Sequence, residues 1–317
     1  MSEIVVQQGS VSGARGWRGF VRQLPLQLGA FAAVIFIWWL AADREWVSPR
    51  ILPGPGEVVS AFWQLVTTGI LIDNLGVTVY EVLAGFVLGS LGGFLIAVGA
   101  ALYGPFRQVV TPYMVALQVT PRVAIAPLLF IWLGFGALPK IVLAATICFF
   151  PVFINTLTGL TIIDEDEKEL FRSLRASKSQ QFFRLQLPSA MPVTFAGLKT
   201  AISLALIGAI VGEFVSAEEG LGLLIQRFSF QLNTPSAYAV LFTLTVLGLL
   251  LYGLMELLDR YIVFWNRNDR MLKRTRRMEA RYRRQHVSTP SGAATPSNSG
   301  LVSSGTGHTS QQGGNKK

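Results

Sequence analysis

Residues able to carry chemistry are scarce in this chain, and their placement excludes several chemistries at once. The single cysteine, Cys148, lies inside an apolar run, so no internal disulfide is possible. The two histidines, His286 and His308, both lie in a polar tail, which leaves the apolar body without a Cys/His zinc site or a histidine general base. A phosphate-cradling loop needs Gly-x4-Gly-Lys-Ser/Thr, and the dipeptide Gly-Lys occurs nowhere. The chain therefore does not hydrolyse ATP alone. A serine-protease-like intramembrane site needs a histidine or lysine base, and Lys199 is the one lysine well inside a candidate span, which disfavours such catalysis. The chain reads as no enzyme.

The remaining ionisable groups in apolar surroundings are Glu81, Arg122 and Glu213. A charge at membrane depth is costly, and it normally pairs or meets water. With residues 108–134 taken as one straight span, Arg122 lies roughly 21 Å along it at 1.5 Å per residue. Glu81 and Glu213 fall at similar depth on the second and fifth spans. Arg122 is thus expected to pair with one of them, either as an outer gate or as a permanent structural ion pair. Gln118, Thr120 and Asn155 are polar groups in the third and fourth spans. They are candidate linings of a pathway, or else satisfied interhelical hydrogen bonds.

The elements that must hold these residues follow from composition. Of 317 residues, 51% are hydrophobic and only 14% charged, with a mean hydropathy of +0.47. A soluble domain carries roughly 25% charged residues. Stretches free of Asp, Glu, Lys and Arg occur at 23–42, 82–106, 123–139, 141–163 and 228–255, and 185–212 is broken only by Lys199. A span needs about 20 apolar residues. An all-α membrane protein with six helices is expected, near 25–42, 76–103, 108–134, 139–162, 192–214 and 236–262. Pro112, Pro121 and Pro127 interrupt the third. Gly85, Gly89 and Gly93 form a small-residue ladder on the second, suited to close helix packing. Between the first two spans, Pro53-Gly54-Pro55-Gly56 signals a turn. Residues 57–68 read as an amphipathic surface helix or as an extension of the second span.

Charge fixes the expected orientation. With the N-terminus inside, inner segments hold twenty Lys and Arg residues against three in the outer ones. Bulky Trp38, Trp39 and Leu40 stand where a signal-peptide cleavage site would need small residues, so the first span is expected to stay. Residues 264–317 alone carry a balance of +9, equal to that of the whole chain. Because the basic run directly follows an apolar segment, it reads as a topological anchor or a lipid-facing helix rather than a nucleic-acid site. The organisation expected is a cytoplasmic segment 1–24, a transmembrane domain 25–265, and a basic, then disordered, cytoplasmic tail 266–317.

The longest inner loop between spans, 163–191, holds five acids and five bases. Its acidic start suits a helix N-terminus. Leu170, Phe171 and Leu174 share one face. A short helix, a turn and a second helix ending at Pro188 form a docking element for a cytoplasmic partner. The loop resembles the EAA loop of ABC-importer permeases, a pattern of Glu-Ala-Ala, three residues, Gly, nine residues and Ile-x-Leu-Pro. Here Glu169-Leu170-Phe171 is followed at that spacing by Arg175, in place of the turn-permitting glycine, and then by Leu185-Gln186-Leu187-Pro188. The stretches Thr120 to Leu128, Ile131 to Gly136, Phe149 to Thr156 and Val211 to Phe214 resemble permeases of the nitrate/sulfonate/taurine importer family, whose members also move pyrimidine and flavin precursors.

The resemblance spans roughly 28–265 and implies a type I ABC importer permease fold in a bacterial inner membrane, multi-pass, with both termini cytoplasmic. It implies two copies in the lipid membrane, an external solute-binding protein, and ATPase subunits that bind ATP and Mg. The chain itself would hold no cofactor or metal, and no nucleic-acid partner is implied. Contact with the ATPase would fall to Glu169, Leu170, Phe171, Leu174, Arg175, Leu187 and Pro188. The competing reading is a self-sufficient secondary carrier or channel, which would more often show repeats and more spans.

Overall fold

The computed structural model describes residues 17–48, 50–163, 165–216 and 218–267. The described residues form helices joined by short turns, with no strand among them. The expected basic and polar tail, and the start of the N-terminal segment, lie outside them. In chain order the helices are α1 (Trp17–Asp43), α2 (Pro55–Thr67), α3 (Ile70–Leu102), α4 (Gly104–Val119), α5 (Ala126–Leu133), α6 (Ala137–Thr161), α7 (Glu165–Ser173), α8 (Lys178–Gln181), α9 (Leu187–Ser216), α10 (Leu221–Phe230) and α11 (Thr234–Ile262). Those containing α3, α6, α9 and α11 are long and apolar enough to cross a membrane.

The centre is α6, sandwiched between α3 and α9. Close approach is possible because the contact positions are glycines. A Cβ on Gly85 would lie 2.6 Å from Ala144 Cβ, on Gly89 2.3 Å from the Ala145 carbonyl oxygen, and on Gly93 2.6 Å from that of Phe149. On the other side, Gly197 and Gly208 of α9 seat against Asn155 and Ala144 of α6, with a Cβ in each case 2.7 Å from its neighbour. Lipid offers no hydrophobic drive between helices, so this intimate packing supplies the association. The ladder seen in the sequence is the seam of α3 on α6.

The third span is corrected. It does not run straight through 108–134; α4 and the segment Arg122–Leu133 meet at 84°. Pro121 lacks an N–H and forces the preceding residue out of the helical region. Thr120 accordingly takes φ −64°, ψ 130°, and a single 3-10 turn, Arg122–Ile125, leads into α5. Pro112 sits inside α4 without ending it. Gly134 and Gly136, at φ 79° and 120°, then turn the chain into α6.

α2 is a helix of its own, because Gly69 at φ 78° separates it from α3. Val58, Ala61 and Leu65 are buried in the main core, whereas Val59 and Trp63 stay exposed. Its apolar residues therefore serve two surfaces rather than the one face expected.

Candidate functional site

Two places in the fold gather the expected site residues. The first is the segment after α6. Glu165, Asp166 and Glu167 occupy the first turn of α7, where the helix dipole favours anions. Lys168 reaches back to Glu165 at 2.8 Å, and this hydrogen bond holds the Glu165 carboxyl below its ordinary value. α7 buries none of its residues, and Leu170 and Leu174 are 56% and 69% exposed. Phe171 is half-buried between them, and Glu169 is exposed.

α7 ends in a Schellman motif. Ala176 N–H donates to the Phe171 carbonyl at 3.0 Å and Arg175 N–H to that of Arg172 at 2.9 Å. Arg175, in the glycine position of the family pattern, adopts φ 54°. The left-handed turn is thus kept without its usual residue. The segment then reverses direction through Ser177, whose hydroxyl caps α8 by accepting from Gln180 N–H at 3.2 Å. A π turn over Phe182–Gln186 follows. It lies just before Pro188, which has no N–H to give to the carbonyl four residues back. Phe182 is buried with Leu160 and Ala190, anchoring this half of the loop to the span helices, and Leu185 is buried as well. Leu187 and Pro188 are half-buried in the first turn of α9. One half of the loop is therefore anchored while the other presents free leucines. Phe183, 62% exposed in the π turn, is a further uncovered aromatic of the loop that the spacing of its residues did not point to.

The second place is a buried polar network on α3. Asn74, Thr78 and Glu81 are spaced to share one helix face. Glu81 forms an ion pair with Lys140 of α6, and both are buried. Glu213 of α9 accepts from the Thr78 hydroxyl at 2.6 Å and from Gly222 N–H at 2.5 Å. Thr78 in turn accepts from Leu221 N–H at 2.9 Å, and Asn74 accepts from Gly220 N–H at 2.7 Å. The Gly220–Gly222 turn wraps the Glu213 carboxylate so closely that a Cβ on Gly220 would lie 2.3 Å from Glu213 Oε1. Gly220 also needs φ 128°.

The expected pairing of Arg122 with Glu81 or Glu213 is not made within the chain. The straight-helix depth estimate fails at the Pro121 break, and both carboxylates are already engaged. Arg122 instead donates to the Gln118 carbonyl at 3.1 Å and to the Ile147 carbonyl at 3.5 Å, and its guanidinium carbon sits 4.2 Å from the centre of the Phe150 ring. Lys140 escapes a sequence search for buried charges because it lies at the boundary between two charge-free stretches. A signal exists nonetheless: Lys140 and Glu81 both flank apolar runs at neighbouring helix ends.

The other polar candidates are satisfied locally. Thr120 donates to the Ala116 carbonyl at 3.2 Å and Asn155 to that of Pro151 at 2.8 Å, while Gln118 is exposed. Lys199 bridges α9 to α11 through Glu256 at 2.5 Å and Asp259 at 2.6 Å.

Comparison with known proteins shows the family and the fold. Residues 89–263 match the family described as the binding-protein-dependent transport system inner membrane component. The formylaminopyrimidine transport permease protein of Halalkalibacterium halodurans is 32% identical over 75% of this chain and 95% of its own. The riboflavin transport system permease protein of Chloroflexus aurantiacus is 36% identical over 73% and 87%. A putative aliphatic sulfonates transport permease protein of Bacillus subtilis is 30% identical over 74% and 85%. The fold is shared with a solved amino acid ABC transporter, at TM-score 0.53 and 20% identity over 63% of this chain and 98% of that one. It is also shared with the MetNI methionine ABC transporter, at TM-score 0.50 and 20% identity over 58% and 94%. An all-helical core, a family match over more than half its length and relatives above 30% identity make this chain a member of the binding-protein-dependent transport system inner membrane components, the permease subunits of ABC importers.

Proposed function

We propose that the chain forms, as a pair of identical copies, the path for a small organic or oxyanion solute, and that α7 is the point at which an ATPase subunit drives it. The observation that carries this is the division of the 163–191 loop. Leu170 on α7 and Leu174 just after it are exposed, while Phe182 fastens the loop to the ends of α3, α6 and α9. A push on α7 is thereby passed to the spans as a rigid displacement. Glu169, Phe171 and Arg175 belong to the proposed contact, and Leu187 and Pro188 to the half of the loop that holds it in place.

The proposed topology has six spans. α1 supports a first span because Leu28, Phe31, Val34, Phe36 and Ile37 are exposed around it, as on a helix set in lipid. The bent α4–α5 unit is the third. Both termini lie in the cytoplasm of a bacterium, as the Lys/Arg asymmetry supports. The proposed tail 266–317 contributes an anchor on the inner face. In the relatives' names the solutes range from sulfonates to formylaminopyrimidine and riboflavin, so kinship alone leaves even the solute's charge open. Gln118, Thr120, Arg122 and Asn155 are the proposed pathway positions, and the Glu81–Glu213 network is the proposed outer structural clasp.

The test is copurification. Tagged full-length chain, extracted from the membrane with its transport partners coexpressed, should bring down an ATPase subunit. Leu170→Asp with Leu174→Asp should abolish this while leaving insertion intact. Equal recovery of the ATPase with the double variant would contradict the assignment.

A further inference from the structure

The third span breaks at Thr120–Arg122, where Thr120 and Pro121 are exposed within the chain and Arg122 is half-buried. Irregular backbone at membrane depth is tolerated where protein buries it or where it lines a water-filled cavity. Beside this break stands a cation without a counter-charge. Arg122 forms no ion pair with any described carboxylate; Glu81 is held by Lys140, and Glu213 by Thr78 and Gly222. Its Nε is buried with no hydrogen-bond partner, so the guanidinium fork is only partly used. Phe150 and the carbonyls of Gln118 and Ile147 hold it in place from one side. These contacts fix its position and leave its charge uncompensated, which is the arrangement that attracts an anion rather than the one that closes a gate.

We infer that Arg122 is a specificity-determining cation on the solute path, drawing small organic anions to the break in the third span. The class is set by the fork chemistry that sulfonates, carboxylates and phosphate esters share. This rests on the transport reading, but it assigns one residue and one sign of charge that the reading leaves open.

The experiment needs no knowledge of the solute. In a Cys148→Ala background, Gln118→Cys places a thiol on the residue whose carbonyl accepts from Arg122 at 3.1 Å, without touching that carbonyl. The full chain in membranes is treated with two thiosulfonate reagents of similar size, the anionic sulfonatoethyl and the cationic trimethylammonioethyl methanethiosulfonates. In each the thiolate forms a disulfide and methanesulfinate leaves. A unit charge roughly 6 Å away in a water-like medium favours the anionic over the cationic reagent by about tenfold. Arg122→Gln should therefore lower the ratio of the two rates about tenfold, and Arg122→Lys should preserve it. Thr120→Cys provides a second reporter at the break itself.

Two results would overturn the inference: no modification of either reporter by either reagent, which removes the aqueous path, or a ratio unchanged by Arg122→Gln, which means another carboxylate already neutralises Arg122. Both measurements need only the inserted chain. Failure of the importer reading would show instead as absence of a copurifying ATPase.

Discussion

Glu81 and Lys140 are buried partners whose separate worth is small and whose separation is expensive. Removing one member of such a pair leaves an unpaired charge in an apolar setting, at a cost of about 3–5 kcal/mol. Replacing both with apolar residues of similar volume costs much less. Lys140→Met should thus lower thermal stability in detergent severely, and Glu81→Met added to it should recover most of the loss. A double variant as unstable as the single would show that the pair is not the source. Arg175 and Leu232 offer a gentler residue-scale test. Both sit at φ near +55° in Schellman motifs, where a residue with a Cβ is disfavoured by about 1 kcal/mol. Arg175→Gly and Leu232→Gly should each raise the thermal midpoint by a few degrees, and a lowered midpoint would contradict the strain argument. Glu81, Arg122 and Glu213 are legible in the sequence as charges at membrane depth, but Lys140 and the partners of all of them are not. Pairing depends on depth, and depth along a straight helix loses its meaning where Pro121 breaks it.

At the scale of elements, α6 depends on two glycine-lined neighbours. The Gly89 site has backbone against it, with the Ala145 carbonyl oxygen 2.3 Å from where a Cβ would stand. Gly89→Ala should therefore force α3 off α6 and cost about 1–3 kcal/mol, read as a lower thermal midpoint. Gly76→Ala, on the same helix with nothing within 4 Å, should be neutral or slightly stabilising. Equal effects of the two would refute the seam. The seam can be read from the spacing of Gly85, Gly89 and Gly93, although the helix it faces cannot, since small-xxx-small patterns name no partner. The fourth, fifth and sixth expected spans agree with α6, α9 and α11 to within a few residues. The two-faced packing of α2 is not legible, because Val58 and Val59 are alike in composition and differ only in what covers them.

At the scale of the molecule, three features bind the membrane helices into a single mechanical body. They are the packed three-helix centre, the polar clasp joining α3, α6, α9 and the α10 turn, and the Lys199 bridge to α11. α7 is exposed, and the proposed contact with an ATPase subunit falls on it. The family is legible in the sequence because the spacing from Glu169 to Pro188 survives the loss of both alanines and the glycine. In the structure Arg175 takes the left-handed turn that a glycine would take freely. The most direct measurement of this account is ATP hydrolysis by the cognate ATPase subunit in nanodiscs, with the wild-type chain, with the Phe171→Ala/Leu174→Ala chain, and with no chain. The wild type should make hydrolysis respond to the solute-binding protein. The double variant, equally inserted and equally stable, should leave hydrolysis at the level of the ATPase alone. A double variant whose hydrolysis responds as fully as the wild type's would contradict the role given to α7.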